Sequence, residues 1–343
     1  MRRTYELRRN KSSEPAILTK STVHHTNELR AGVIGAGTFG RLHAQKYASL
    51  PGVKLVGIAD TSEDRAQGLA SEFMVTAFAG WRCMLPHVDV VTIAAPARFH
   101  GEIGVACLNQ GKHVFVEKPL AANLREADAL IRVAERQGLV LHTGHQERFV
   151  MRHLGLFDSK VIPLKIESHR AAPFNPRNTD VSVVLDLMIH DLDLVHQLNP
   201  ADIVSLQADQ RSIYGRSDEV SADIVLDGGM KVELFASRMA DARRRFMRIT
   251  YPDGEIFIDF LTREMTNTTP RKLRPLGSVS DIEGLPCPST DPLGHGVAQF
   301  VRSVRENMPA AIAPLEARRA LETALAILDA AKVARPEKRL ANA

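Results

Sequence analysis

Four polar residues recur at helical spacing within a stretch of sequence that is otherwise largely apolar. In residues 183–198, Asp186, His190, Asp193 and Gln197 follow one another at intervals of four, three and four. These intervals place the four side chains on one side of a helix whose other sides are apolar. The sequence therefore predicts a buried helix whose polar stripe is either paired internally or lines a cavity.

The histidine of this stripe is suited to proton transfer. A neutral imidazole, whose ordinary pKa is about 6.5, accepts a proton readily near neutral pH. Asp186 lies one helical turn before His190, so we expect it to orient the ring and to stabilise the imidazolium. The alternative is a purely structural Asp–His pair that holds the core together.

A glycine-rich segment near the start of the chain has the spacing of a dinucleotide-binding turn. Gly35, Gly37 and Gly40 form G-x-G-x-x-G, with Thr38 and Phe39 between them, after a predicted strand and before a predicted helix. In that setting the first glycine permits the turn and the second lets the backbone approach a pyrophosphate. The third lets helix and strand pack closely.

An acidic residue follows at the distance that such a turn requires. Asp60 ends the second predicted strand, twenty positions after Gly40, where a carboxylate can bind a ribose 2′-hydroxyl and repel a 2′-phosphate. No arginine directly follows Asp60, and the nearest one is Arg65. NAD is therefore predicted over NADP. The competing interpretation of Asp60 is an N-cap for the next helix.

The first half of the chain alternates short β-branched runs with amphipathic helical stretches. The predicted strands are residues 31–34, 54–59, 90–94, 113–117 and 139–143. This alternation is typical of βαβ units and a parallel sheet. It predicts an α/β, doubly wound Rossmann domain over residues 30–150, preceded by a flexible tail of residues 1–29.

The second half reads differently, because its strands follow one another directly. They are residues 165–169, 204–208, 221–226, 231–237, 245–251 and 255–260, and helices are predicted at 294–306 and 315–333. Glycines after Asp227 and Asp253 supply tight hairpin turns. We expect residues 151–343 to form an α+β domain with a large, mostly antiparallel sheet, whose C-terminal helices can pack back on the first domain.

Composition excludes several classes of protein. The 343 residues carry a formal charge of +4, all of it in residues 1–30, and aromatic residues make up 5% of the chain. Neither a phosphate-tracking patch nor a base-stacking platform is indicated, so nucleic acid is not an expected partner. No apolar run has the length of a membrane span. Arg2-Arg3 is compared with an export signal, but no hydrophobic segment follows it.

Cysteine usage indicates neither a disulfide framework nor a metal site. Cys83, Cys107 and Cys287 are odd in number, widely spaced and form no C-x-x-C motif. We therefore predict no metal and a reducing, cytoplasmic compartment.

Glu117-Lys118-Pro119 directly follows a predicted strand, and with the glycine motif it resembles the Gfo/Idh/MocA oxidoreductase family. The resemblance extends from residue 31 to about 333. It implies that Lys118 is the motif lysine, Asp186 the acid and His190 the base that takes a hydroxyl proton during hydride transfer. It also implies that the cofactor is contacted by Ala95, Pro96, His100, Glu117, Lys118 and Gln146. His100 has the alternative of capping or packing its helix.

The chain departs from the family pattern in two places. Gln146 stands where the family has Asn, and Val181-Ser182 stand where many relatives have a glycine pair. The segment containing Gln146 and the 183–198 stretch together are similar to a nucleotide-sugar subset that includes UDP-N-acetylglucosamine 3-dehydrogenases. In that case four basic residues are expected to contact a diphosphate: Arg148, Lys165, Arg170 and Arg177. The alternative is that they form a solvated face.

The resemblance thus implies NAD-dependent oxidation of a secondary alcohol on a sugar or nucleotide sugar, by a homodimer or homotetramer whose second domain binds the substrate and associates. Inositol or free-sugar oxidation and an NAD-dependent glycosidase are the open enzymatic alternatives. A non-catalytic dinucleotide-binding regulator is the third, but it would have no need for Lys118, Asp186 and His190 together.

Overall fold

The computed structural model describes residues 28–175, 181–213, 217–275 and 285–333. The predicted tail, residues 1–29, lies outside these ranges except for its last two residues, and Arg177 lies outside them as well. Within the described ranges, none of the helices combines the length and the apolar character that crossing a bilayer requires.

A six-stranded parallel sheet forms the first half. Its strands are β1 (Leu29–Ile34), β2 (Val53–Ala59), β3 (Thr76–Phe78), β4 (Val90–Ile93), β5 (His113–Val116) and β6 (Leu141–Thr143), in the order β3-β2-β1-β4-β5-β6. The order reverses between β1 and β4, which is where ligands bind at the carboxyl edge of such sheets. The predicted doubly wound sheet is confirmed.

Helices connect these strands, and α2 and α5 begin at a side chain that caps the first turn. They are α1 (Thr38–Ser49), α2 (Glu63–Glu72), α3 (Trp81–Met84), α4 (His100–Asn109) and α5 (Leu124–Gln137). In α5 the Asn123 side chain accepts from the Glu126 N–H at 3.0 Å, and the helix ends at Gly138 with a φ of 64°. These caps satisfy end groups that the helix itself leaves unpaired.

A seven-stranded sheet forms the second half. Its strands are β7 (Lys165–Ala171), β8 (Ile203–Arg211), β9 (Glu219–Leu226), β10 (Lys231–Ser237), β11 (Arg244–Tyr251), β12 (Gly254–Asp259) and β13 (Glu264–Asn267), in the order β13-β12-β11-β7-β10-β9-β8. Only β7 and β10 pair in parallel. Gly228 and Gly229, with φ of 86° and 85°, form the β9–β10 turn. The predicted mostly antiparallel sheet is confirmed.

The remaining helices join the two halves. They are α6 (Glu147–His153), α7 (Ile189–Leu198), α8 (Pro292–Arg305) and α9 (Pro314–Val333). Although α8 follows the second sheet in the sequence, its Val297 and Phe300 pack in the core beneath β1 and β2. In α9, Leu321 packs in the core of the first sheet and Ile327 in the core of the second.

Two short strands were not predicted, and several predicted ends are wrong by one or two residues. β3 has three residues and β13 four, too few to show an alternating pattern. The predicted strands at 90–94, 113–117 and 255–260 each end one residue too late, and the one at 139–143 begins two residues early. Sequence patterns place the centre of an element better than its ends.

The stretch 183–198 is helical, but not uniformly so. Residues Val184–Met188 form a π-helical turn, and α7 begins only at Ile189. The prediction of one regular helix was therefore wrong at its first turn. A π-helical turn holds more residues than an α-helical turn, which changes the angular spacing between Asp186 and His190.

Candidate active site

A cavity of about 1130 Å³ opens at the carboxyl edge of the first sheet. The segments after β7 and β10 and the π-helical turn complete its walls, through residues such as Pro173, Arg238 and Leu185. Eleven of the fourteen predicted site residues line it: Gly35, Gly37, Thr38, Phe39, Asp60, Ala95, Pro96, His100, Glu117, Lys118 and Asp186. Gly40, Gln146 and His190 do not.

The glycine turn has the shape that a bound pyrophosphate requires. Gly35 has a φ of 104°, and a Cβ there would lie 2.6 Å from the Ala94 carbonyl oxygen. A side chain at Gly40 would collide with the Gly35 carbonyl. Gly40 is not part of the cavity wall because it lies where α1 packs closely on β1. At Gly37 a Cβ would meet nothing within 4 Å, because this position faces open cavity.

Asp60 is tied to the glycine turn and to Arg65. Its Oδ2 accepts from the Ala36 N–H at 2.8 Å, and its Oδ1 accepts from the Ser62 N–H at 2.8 Å and from Arg65 at 2.6 Å. Burial opposes ionisation of Asp60, yet these hydrogen bonds hold its pKa below the usual value. The cap of α2 is Ser62, so the N-cap interpretation of Asp60 was wrong.

Arg65 contacts Asp60 although it does not directly follow it in the sequence. Arg65 lies in the first turn of α2, and its guanidinium reaches back to the Asp60 carboxylate. Both side chains line the cavity, and 59% of the Arg65 side chain is exposed. The Arg65 cation therefore lies beside the carboxylate that a bound 2′-phosphate would approach.

His100 joins two loops of the cavity wall. Its Nδ1 lies 2.8 Å from the Pro119 carbonyl oxygen and its Nε2 2.8 Å from the Ala95 carbonyl oxygen, and the ring is buried. Burial lowers the pKa of His100. The residue thus holds the loop at Ala95 and Pro96 against the one that carries Lys118.

Glu117 anchors the Glu-Lys-Pro segment from within the core. Its Oε1 lies 2.7 Å from His43 Nε2, and Thr92 and Tyr47 continue this buried chain of hydrogen bonds. Gln146 donates to the same Oε1 at 3.4 Å. Burial opposes ionisation of Glu117, but His43 holds its pKa below the usual value. His43 was missed, although it lies four residues before Tyr47 on the buried face of α1.

Lys118 and Asp186 meet at the cavity wall. The ammonium donates to the Asp186 carboxylate at 2.8 Å and to its backbone carbonyl at 2.6 Å. Both side chains retain some exposure to the cavity, 12% and 18%. Asp186 therefore fixes Lys118, and it does not accept the hydrogen bond from His190 by which it was expected to orient the ring.

His190 is not among the residues that line the cavity. Its Nδ1 is enclosed and has no hydrogen-bond partner, and its ring meets that of His145 edge to face with centroids 6.2 Å apart. Burial, with the charges of Lys118 and Arg170, lowers its pKa well below the ordinary value. The imidazole is consequently neutral at physiological pH and able to accept a proton.

Buried ion pairs fasten α6 and α7 beside this histidine. Arg148 is fully buried, donates to Asp193 through Nε at 3.0 Å and reaches Glu316 with its other end. Arg170 donates to Asp191 at 2.6 Å and also pairs with Glu147.

The expectation that basic residues contact a diphosphate was therefore wrong for three of the four. Arg148 and Arg170 are buried with carboxylate partners, which also excludes a solvated face for them. Lys165 pairs with Glu233 on the second sheet at 2.7 Å. The sequence reasoning also missed Arg238, which lines the cavity and donates to the Val181 carbonyl at 2.6 Å.

The site fits a dinucleotide. Ligand pockets commonly measure about 300–1,000 Å³, and this cavity of about 1130 Å³ is large enough for an extended ligand such as a dinucleotide. The glycine turn, Asp60 and the loop at Ala95 would hold NAD along this wall. In the described part of the chain, no three His, Cys, Asp or Glu side chains cluster as metal ligands do.

Comparison with known proteins agrees with this architecture. A family model described as oxidoreductase family, NAD-binding Rossmann fold (Gfo/Idh/MocA) matches residues 29–145. The UDP-N-acetylglucosamine 3-dehydrogenase of Acidithiobacillus ferrooxidans is 34% identical over 310 residues, covering 87% of this chain and 96% of that protein. A solved structure of that enzyme superposes with a TM-score of 0.79 at 32% identity, over 88% of this chain and 97% of the other.

An inositol enzyme is more distant. The scyllo-inositol 2-dehydrogenase (NAD(+)) of Bacillus subtilis is 27% identical over 69% of this chain and 76% of its own length. The fold, with its two sheets, and the cavity define a dinucleotide-binding oxidoreductase. The chain belongs to the Gfo/Idh/MocA family.

Proposed function

We propose that this chain is an NAD-dependent dehydrogenase that oxidises a secondary alcohol of a nucleotide sugar, with C3 of UDP-N-acetylglucosamine as the preferred position. The observation that carries the proposal is the Lys118–Asp186 pair at the wall of a cavity that begins at a dinucleotide turn. The nucleotide-sugar assignment is supported by the named relative, which matches nearly the whole chain.

Three side chains divide the work on the substrate hydroxyl. The Lys118 ammonium, held by Asp186, stabilises negative charge that develops on the alcohol oxygen. His190 takes the hydroxyl proton, because its lowered pKa keeps the imidazole neutral. Bound NAD supplies the acceptor for the hydride. Since His190 is not part of the cavity wall, a small movement of its ring toward the substrate belongs to this scheme.

The first test is NADH production with UDP-N-acetylglucosamine, free hexoses and inositols. His190→Ala should lower turnover by roughly 10²- to 10⁴-fold while the Kd for NAD stays unchanged. His196→Ala is the matched control, because His196 lies on the same helix but bonds Thr323 at 2.8 Å, away from the cavity. A fully active His190→Ala protein would remove the assigned base.

The substrate panel separates the competing activities. Reduction of NAD by inositols but not by the nucleotide sugar would favour the relation to scyllo-inositol 2-dehydrogenase. Sugar cleavage without net NADH would favour a glycosidase. Binding of NAD without turnover of any substrate would favour a regulator.

We also propose that two copies associate through the outer face of the second sheet, as a homodimer or as part of a homotetramer. His169, Phe235, Phe246 and Phe257 form a partly exposed aromatic row there, with neighbouring centroids 4.8 to 5.5 Å apart. Charges of both signs surround the row, among them Lys165, Glu167, Glu233 and Arg248. A mixed-charge apolar face suits a second copy of itself. Phe246→Glu should yield monomers in sedimentation, whereas an unchanged mass would exclude this face.

The proposed setting is the cytoplasm. Cys83, Cys107 and Cys287 are not joined in disulfides, and a reducing compartment keeps their thiols reduced. Oxidised, cross-linked protein recovered from cells would contradict this.

A further inference from the structure

His145 is a buried histidine without a role in the scheme above. It lies between β6 and α6 and is 1% exposed, and neither of its ring nitrogens has a hydrogen-bond partner. A buried polar atom without a partner is costly, and native proteins rarely keep one without a reason. Two such nitrogens on one ring therefore require explanation.

His190, the neighbour of His145, also has a ring nitrogen without a hydrogen-bond partner. The ring of His190 stands edge to face with that of His145, with centroids 6.2 Å apart and planes at 83°. Nδ1 of His190 is enclosed and also has no partner. At this centroid separation the nitrogens lie beyond direct hydrogen-bond distance, and one bridging water would join them.

The base also needs a group that orients it. A catalytic imidazole requires a partner on one nitrogen so that the other faces the substrate in the correct tautomer. Asp186 is bound to Lys118, and among the described residues no carboxylate makes a hydrogen bond to His190. The nearby group with an uncommitted acceptor is the ring of His145.

We propose that His145 is the positioning residue for His190, accepting the hydrogen bond of its Nδ1–H through one bridging water and leaving Nε2 free to take the substrate proton. The inference rests on the proposed function, which makes His190 the proton acceptor. During oxidation the alcohol O–H bond breaks, its proton forms an N–H bond at Nε2, and its electron pair becomes the second bond of the carbonyl. The carbinol C–H bond breaks with its electron pair as hydride, for which NAD, when bound, would be the acceptor. The imidazolium then donates a stronger hydrogen bond toward His145.

The surroundings favour a neutral, accepting His145. Burial lowers its pKa, with a smaller opposing effect of Asp193 and a lowering effect of Arg148. The other charges facing the ring are Lys118 and Glu117. The cations facing His190 are Lys118, from the loop after β5, and Arg170, from β7. A neutral acceptor adds no further positive charge beside the imidazolium that forms.

The experiment compares variants that keep or remove the acceptor. His145→Phe retains an aromatic ring without nitrogen, and His145→Asn restores an acceptor oxygen near Nδ1. His145→Phe should lower kcat by roughly 10- to 100-fold with KM little changed, since a hydrogen bond to a developing charge is lost. The acidic limb of the kcat profile should move to lower pH, and His145→Asn should recover most of both effects.

A readout that needs no turnover makes the test independent. Nitrogen-15 NMR of labelled protein identifies which nitrogen of His190 carries the proton. The Nδ1–H tautomer should dominate in the wild type, and this preference should be lost in His145→Phe. His142→Phe is the matched control, because His142 is also buried with both nitrogens unpartnered but packs against Phe115 and Phe149. It should change neither the tautomer nor the pH profile.

The outcomes separate this inference from the proposed function. If His190→Ala is inactive but His145→Phe keeps the wild-type pH profile and tautomer, the positioning role is overturned and the base survives. If His190→Ala is fully active, the assignment of His190 as the base fails while the dehydrogenase activity stands, and the NMR tautomer still decides whether the two rings are joined. Should His145→Phe fail to fold, His145→Leu against His145→Asn, which are matched in size, carries the same comparison.

Discussion

Replacing Arg65 should make the protein discriminate more strongly against NADP. The Arg65 guanidinium lies 2.6 Å from Asp60 Oδ1, so the carboxylate that would repel a 2′-phosphate is paired with a cation at the same wall. Arg65→Gln removes the cation and leaves the Asp60 charge, with its hydrogen bonds from Ala36 and Ser62, in place. The 2′-phosphate then meets a carboxylate alone.

The magnitude follows from Coulomb's law and from exposure. Two unit charges ~4 Å apart interact by ~1 kcal/mol in water and by ~4 kcal/mol at a dielectric constant of ~20. Because 59% of the Arg65 side chain is exposed, the aqueous end of this range applies. A loss of about 1–2 kcal/mol raises the Kd for NADP by roughly 5- to 30-fold. NAD carries no charge at that position, so its Kd should change about twofold or less.

The assay is calorimetric or fluorescence titration of both cofactors against the wild type, Arg65→Gln and Arg41→Gln. Arg41 is the control because it is exposed to a similar degree, 55%, and pairs with Glu72 away from the cavity wall. Asp60→Ala should act in the opposite direction and narrow the preference for NAD. An unchanged Kd for NADP in Arg65→Gln would refute the reasoning that Arg65 screens Asp60.

Three further outcomes are expected. Gly37→Ala should weaken NAD binding without lowering Tm, whereas Gly40→Ala should lower Tm, because only the second Cβ collides with backbone; equal Tm values in the two variants would contradict this. Asp193→Asn should cost about 3 kcal/mol in urea unfolding by leaving the buried Arg148 partly unpaired, and a loss below about 1 kcal/mol would mean that Glu316 suffices. His142 has a native pKa of about 3 against an ordinary 6.5, so the unfolded chain takes up its proton first and stability falls as pH drops between these values. His142→Phe should remove about 1.4 kcal/mol per pH unit of that loss, and identical acid unfolding curves would contradict the assignment.

Signals that are local in the sequence predicted most of the cofactor wall. The glycine turn, Asp60 and the Glu-Lys-Pro segment each lie within a few residues of a strand end, and all of them reach the cavity except Gly40. All strands of the two sheets except β3 and β13 were likewise visible in runs of β-branched residues. Such features depend on backbone geometry that short stretches of sequence determine.

Pairings across long separations were not predictable in the same way. Lys118 and Asp186 are 68 residues apart, and Arg148 and Asp193 are 45 apart. Helical spacing predicted that Asp186 contacts His190. Because of the π-helical turn and the proximity of the segment after β5, Asp186 pairs with Lys118 instead. Which carboxylate a buried cation selects is decided by tertiary packing, which one sequence without its fold does not display.

The packing of α9 limits how this protein can be recombined. Along one helix, Ala317 and Leu321 belong to the core of the first sheet, and Ala324 and Ile327 to the core of the second. A chimera joined at residue 150 would therefore combine two half-cores from different parents along a single helix. Exchange of the second sheet between relatives requires that α8 and α9 stay with the parent of the first sheet, and that the α9 face toward the second sheet be redesigned.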